Sequence, residues 1–499
     1  MNKFVHKSIY IEYLQCAKNA WLKLHKKQEL QDLLAPTDSE HAIMNKGNLV
    51  ELWARRLFPE GILIEVHGED AALLTKSYIE KKTSVLFQST FYHDQFLVRN
   101  DVLEYNKRTG KWSLYEIKGK NSLYESKDKI DHIEDISFQA IILKEQGIEL
   151  ENLFIIHLNK DYLRINDIEI DKLFIINNVT ENVKERESLT RERMQRAKID
   201  LHQDKEEASI CSCISQGRNA HCKTFSYSYP HVPEISVHDI ARINEKRLSI
   251  LVNSNILTID DIPASFALTD IQSNQVNSYK FKKTIIDDMA IKQELDKLTY
   301  PLYFLDYESY AHPIPLFSGF KPYKHIPFQF SLHVLTDANS EPTHFEYLHE
   351  ADCDPSEIII QKLAAMIGPS GTIIVWHKSF EQKINTELGE RHSSYNDFFQ
   401  NLNNRIFDLE EIFKNQLYVH SGFNGKTSIK NIFPILVPEL SYDKLMIQDG
   451  MDAGEKWFSM MNKELSSSEK SKIAEDLKQY CRLDTYAMYK IWQYLLLIR

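Results

Sequence analysis

Six cysteines in a chain of 499 residues are too few to frame a disulfide-bonded protein of this size, which points to a reducing compartment. Glycine is scarce as well, with 15 residues, and no loop rich enough in it to cradle a phosphate is present. Gly425-Lys426-Thr427 invites such a reading, but His420 stands where the motif needs its first glycine, so ATP hydrolysis is not expected. No apolar run approaches the length of a bilayer crossing, and Met1–Leu14 lacks the apolar centre of a secretory signal. A soluble, cytoplasmic protein with no membrane partner is the expectation. Net positive charge is also missing. At −11, the chain does not coat nucleic acid through a uniformly basic surface. A nucleic-acid enzyme survives that exclusion, because metal sites that cleave phosphodiesters are built from Asp and Glu. The 19 histidines contain no His-Glu-x-x-His pattern, which sets aside the common zinc hydrolase arrangement.

What is present is an ordinary globular composition, 43% hydrophobic and 26% charged, in a chain longer than one core usually spans. Its pattern reads as α/β with three parts. Residues 1–228 mix helical and strand periodicities and end in a cysteine cluster. Residues 229–298 carry short amphipathic runs, Val237–Leu251 and Ile256–Ile262, and no clear strand, which suggests a small helical linker domain. Residues 299–499 open on a strongly apolar strand, Tyr300–Leu305, and finish in a helix, Ala474–Leu497.

Phe96–Tyr105 and Trp112–Lys118 are strand-like runs on either side of a turn-like segment, Asn106-Lys107-Arg108-Thr109-Gly110. A turn centred on Arg108 and Thr109 pairs Asp101 with Glu116 across the ladder, and Lys118 shares the face of Glu116. Two carboxylates so placed can hold Mg²⁺ or Mn²⁺, and the ammonium can orient a water; a surface hairpin with a cross-strand ion pair is the structural alternative. Asp101 followed by Glu116-Ile117-Lys118 resembles the PD-(D/E)XK motif of RecB-like nucleases, including the CRISPR-associated branch. Gly47-Asn48-Leu49-Val50-Glu51 resembles the early acidic helix of that family, and Gln139 follows the core motif at the usual remove. The resemblance implies a restriction-endonuclease-like fold, Glu51 as a further metal ligand and Gln139 as a substrate-side contact. Leu143 departs from the pattern where Tyr is frequent.

A second acidic set lies near the other end. Strand Leu302–Leu305 delivers Asp306 and Glu308 on one face, Tyr480 and Asp484 are one helical turn apart, and Glu381 lies in the first turn of a helix after Val375-Trp376-His377. In this order the motifs resemble the DEDD exonucleases of the RNase H-like fold, in the subtype whose last motif is Tyr-x-x-x-Asp. The resemblance implies that Asp306, Glu308, Glu381 and Asp484 bind two metal ions, that Tyr480 positions water, and that Lys430, in Ser428-Ile429-Lys430-Asn431, contacts substrate. Glu381 and His377 stand where Asp and Asn are usual, and Asp408 is a substitute ligand to consider. The whole arrangement is similar to a bacterial domain-of-unknown-function family that joins these two halves, with matching stretches at Ser8-Ile9-Tyr10 through Cys16-Ala17-Lys18, Phe304 to Glu308 and Ile326 to His333.

Cys16 stands far from Cys211, Cys213 and Cys222, which close the first half. Four thiolates so distributed can staple the two ends of a domain around a metal centre. In the RecB-like relatives one early cysteine and a later three bind an iron–sulfur cluster, so the resemblance implies [4Fe-4S]. Zinc, with His221 replacing a thiolate, and free reduced thiols are the alternatives. Together these readings give a divalent-metal-dependent nuclease acting on nucleic acid, DNA first. The alternative is a nucleic-acid-binding protein with one or both acidic sites degenerate.

Overall fold

The computed structural model describes residues 3–122, 132–206, 211–442, 445–461 and 463–498. It is a mixed α/β protein that divides into two compact units, Met1–His231 with His312–Tyr323, and Val232–Ala311 with Lys324–Arg499. No helix among the described residues is long and apolar enough to cross a membrane.

The first unit is built on a seven-stranded sheet. Its order runs Ile62–Leu63, Val85–His93, Phe96–Asn106, Lys111–Lys118, Leu150–Leu158 and Phe174–Asn178, with Val5–His6 paired to the start of Phe96–Asn106. The acidic hairpin has the expected register: Val102 pairs with Tyr115 and Asn106 with Lys111. Gly110 closes the turn at φ +72°, a left-handed conformation that a Cβ disfavours. Lys111–Lys118 then runs parallel to Leu150–Leu158, reached through the helix His132–Glu145. That helix lies over one sheet face and is buried almost along its length; Phe138 stacks on Tyr10 at 4.5 Å.

One irregularity shapes the site. Leu86 and Phe91 share a core cluster although their numbers differ in parity, and so do Val98 and Leu103. The in–out alternation therefore slips by one on both strands between these positions, while the register of the two strands is the same before and after. The slip brackets Gln88, whose φ is +58°, and Asp101 opposite it. A non-glycine residue in that conformation is strained, and here it sits beside the acidic site.

The second unit holds a five-stranded sheet ordered Thr343–Leu348, His325–Leu335, Leu302–Ala311, Thr372–Val375, Ile406–Asp408. The central strand, Leu302–Ala311, is antiparallel to His325–Leu335 and parallel to Thr372–Val375. Flanked on both edges, it is buried on both faces over its first half, which explains the apolar run Leu302–Leu305; Asp306 and Glu308 follow within the same strand. The closing helix is longer than expected, Ser467–Leu497, because Ser466 and Glu469 form a capping box that starts it two turns earlier than Ala474. The stretch anticipated as a separate linker belongs from Val232 to this second unit. It has a small cluster of its own around Val237, Leu248, Leu251 and Val276, and one strand that periodicity missed, Ile285–Ile286, paired with Tyr418–Val419.

Candidate metal-binding sites

In the first unit, the ladder ends just before Asp101, which uses Oδ2 to accept the Ile117 amide at 2.8 Å. Gln88 links it to the acidic helix: its Nε2 donates to Asp101 Oδ1 at 3.4 Å and to Glu51 Oε1, which also accepts from Arg55. Glu51 thus arrives from Asp38–Ala54, a helix started by a capping box at Thr37 and Glu40.

Glu116 is buried and surrounded by donors. Lys118 Nζ lies 2.7 Å and Lys7 Nζ 2.6 Å from Oε1, while Gln139 Nε2 donates to Oε2 at 2.7 Å. Both lysines also reach Asp135, Lys7 at 3.4 Å. Lys7 and Asp135 escaped sequence reasoning. Asp135 precedes Gln139 by one helical turn, a signal that was available; Lys7 reaches Glu116 across 109 positions, with no local signal. Gln139 is fully buried, its amide donating to Glu116 and Asp135 and its oxygen accepting from Asn100 at 2.7 Å.

The electrostatics follow from this partition. Asp101 is pushed up to about 8, first by burial and then by the charge of Glu116, with Lys7 opposing. Burial pushes Glu116 the same way, but Lys118 and Lys7 outweigh it and hold that carboxyl well below its usual range.

In the second unit, Asp306, Glu308 and Cys481 bring ligand atoms within 4.8 Å of one another. Cys481 is fully buried in the closing helix, with its Sγ 3.8 Å from Asp306 Oδ2. Asp484, one turn away, accepts the Tyr442 hydroxyl at 2.6 Å. Neither Tyr442 nor Cys481 was foreseen; Cys481 adjoins the Tyr480 motif, but Tyr442 is brought in only by folding. Tyr480 takes a hydrogen bond from Lys430 Nζ at 2.9 Å, and that ammonium also donates to the Gln448 carbonyl.

Unlike the first site, this one has little compensating charge. Burial, and then the neighbouring Asp484, push Asp306 well above the carboxylate range. Glu308 moves the same way through burial, then Asp306 and Asp484. Asp484 is pushed up to about 6 by burial, with the Tyr442 hydrogen bond and Lys430 opposing. Glu381 is 2% exposed and raised by burial and then by Asp306, and among the described residues its Oε2 has no hydrogen-bond partner. It stands at the head of Lys378–Arg391, a helix entered through His377 at φ +74°. Asp408 also adds to the upward shift of Glu381, after burial and Asp306. Its oxygens accept the amides of His377 at 3.1 Å, Lys378 at 3.0 Å and Glu410 at 3.1 Å, so it anchors the start of the Glu381 helix.

The four cysteines expected to act together do meet. Cys16 Sγ is 3.3 Å and Cys222 Sγ 3.5 Å from Cys211 Sγ, and all four sulfurs, with Cys213, lie within 4.8 Å of one another. The group can hold a metal.

Residues 303–428 match a family model described as Domain of unknown function (DUF2779). That stretch contains Asp306, Glu308 and Glu381 and stops short of Lys430, Tyr480 and Asp484. The chain is also similar to the uncharacterized protein MG366 of Mycoplasma genitalium, 24% identical over 294 residues that cover 55% of this chain and 42% of that protein. A homologue of MG366 in Mycoplasma pneumoniae is 24% identical over 235 residues, 43% of this chain and 35% of its own length. The chain therefore spans less than half the length of these relatives.

Proposed function

We propose that the protein is a divalent-metal-dependent nuclease whose principal catalytic centre is the acidic cluster of the second unit. The observation that carries this reading is the convergence of Asp306, Glu308 and Asp484, all driven toward protonation, with Glu381, whose Oε2 has no hydrogen-bond partner among the described residues, close enough to feel Asp306. Buried carboxylates without matching cations are unfavourable unless an ion joins them. Oxygen donors of this kind suit Mg²⁺ or Mn²⁺, and such ions, when bound, polarise a phosphodiester and lower the pKa of water. Asp306, Glu308 and Asp484 would hold them, with Glu381 reaching a second position. Tyr480 would orient the attacking water, its hydroxyl fixed by Lys430. The motif order supports an RNase H-like, DEDD-type unit, and nucleic acid, DNA first, as the substrate.

The first unit supports a PD-(D/E)XK-like reading through its hairpin register and the position of Lys118. One observation favours a structural role there: Lys7 and Lys118 already neutralise Glu116, so a metal ion must displace Lys7 to reach it. A nucleic-acid-binding first unit beside a catalytic second one is the reading that follows from this.

End-labelled single- and double-stranded DNA and RNA, incubated with the full chain and Mn²⁺, test the proposal. Degradation that EDTA abolishes and that Asp306→Asn removes is the expected result. Equal mobility shifts with and without metal, and no cleavage, would leave a binding protein.

A further inference from the structure

We infer that Cys16, Cys211, Cys213 and Cys222 form a mononuclear, tetrahedral zinc site that pins the start of the first unit to its end, in place of the iron–sulfur cluster that the motif resemblance implies. Around a single Zn²⁺ with Zn–S of about 2.3 Å, tetrahedral geometry sets neighbouring sulfurs about 3.8 Å apart. The observed separations of 3.3 and 3.5 Å, and the 4.8 Å limit on every other pair, bracket that value. In a four-iron cluster each thiolate binds a different iron, so an iron–iron edge is added to every sulfur–sulfur separation and a sulfide core must fit between them. The space inside this group accommodates one ion.

The surroundings agree. Cys16, Cys211 and Cys213 are at most 5% exposed, which closes the site to further ligands, as in structural zinc centres. Two sulfurs accept backbone amides, Cys16 from Asn19 at 3.4 Å and Cys213 from Cys222 at 3.3 Å, contacts that favour the thiolate form. His221 is not a fourth ligand in place of a thiolate: all four sulfurs converge, while its ring stacks on Phe225 at 3.5 Å and its Nε2 lies 3.0 Å from the Gln216 carbonyl.

The site has a mechanical consequence. Cys16 is both the end of the helix Lys7–Gln15 and the N-cap of Ala17–His25. An ion there joins this helical corner to a segment 195 residues away, and a second link, Thr224 Oγ1 to Asn19 Oδ1 at 2.6 Å, lies beside it. The far end of the first helix carries Lys7, the residue bound to Glu116. The zinc site thus fixes the element that supplies a cation to the first acidic site, and it does so whether or not that site is catalytic.

The full chain, purified anaerobically without an affinity tag, decides the matter. About one zinc per chain, no acid-labile sulfide and no brown colour are expected. Protein loaded with Co²⁺ in place of zinc should be blue-green with the charge-transfer bands of tetrahedral thiolate cobalt, which carboxylate sites do not give. Cys213→Ser and Cys222→Ser should each lose the zinc and those bands; if neither variant folds, the cobalt spectrum of the unmodified chain still reports the ligand set. Iron and sulfide in the anaerobic protein would overturn the inference, and so would a metal-free chain or cobalt bands lacking thiolate character.

Discussion

The two acidic sites answer the same problem in opposite ways. In the first unit Glu116 and Asp135 are buried against Lys7 and Lys118, so the fold supplies the cations itself. In the second, Asp306, Glu308 and Asp484 gather with Lys430 opposing their charge, Glu381 lies close enough to feel Asp306, and Asp306, Glu308 and Glu381 are driven far toward the neutral form. A carboxylate that is internally paired contributes to folding, whereas one left uncompensated opposes it until an external ion binds. Similar residue types thus make one site whose Glu116 and Asp135 are paired within the fold and another whose carboxylates are largely left without cations.

The sharpest break of this comparison is the removal of one charge from each site. Asp306→Asn should cut metal-dependent cleavage by at least about 100-fold, since even partners of ligating groups contribute 10–100-fold. The same variant should melt higher than the parent in EDTA, because a buried repulsion is gone, and calorimetry alongside the cleavage assay checks both signs. Glu116→Gln should do the reverse to stability. Leaving Lys7 and Lys118 partly unpaired against Asp135 should destabilise the protein by roughly 3 kcal/mol, read from the denaturation midpoint. Equal signs for the two variants would mean that the sites do not differ as described.

A smaller effect separates the two carboxylates within the first site. Asp101 is raised from the ordinary carboxyl value of 3.8 to about 8 in the folded protein, so the folded state binds its proton more tightly than the unfolded state does. Its contribution therefore falls as pH rises from about 4 to about 8, and its destabilisation is complete above that. Metal-free Asp101→Asn should accordingly melt a few degrees above the parent at pH 8.5 and match it near pH 4. Thermal melts across that range test this, and a gap independent of pH would remove the assignment. Smallest of all should be Tyr442→Phe. It deletes the hydrogen bond that holds down Asp484, whose value of about 6 should rise, moving the acid limb of the cleavage profile to higher pH with a loss of only a few-fold at the optimum.

What could be read beforehand divides along the same line. Asp101, Glu116 and Lys118 were legible because a hairpin register is local: the turn residues set it, and the strands carry it. Asp306 and Glu308 were legible because the apolar run Leu302–Leu305 leads straight into them; that the strand continues past both to Ala311, leaving them mid-strand, was not. The slip of alternation at Gln88 and Asp101 was not legible, since nothing in Gln88 announces a positive φ. The anchoring of a helix start by Asp408 was not legible, because a carboxylate beside a strand end can serve a helix N-terminus as readily as a metal, and only the position of that helix reveals the contact.

By itself the sequence determined the mixed α/β character, the hairpin and its register, the apolar central strand, and a shortlist of carboxylates and thiols able to bind metal. These are short-range matters, set by periodicity, turn chemistry and residue type. Only the tertiary structure decided which charges are compensated, because Lys7 meets Glu116 across 109 positions and Tyr442 meets Asp484 across 42. The same holds for the closeness of the four sulfurs: their types permit several metal centres, and the distances between them are set by how helix and loop pack, which no local pattern encodes.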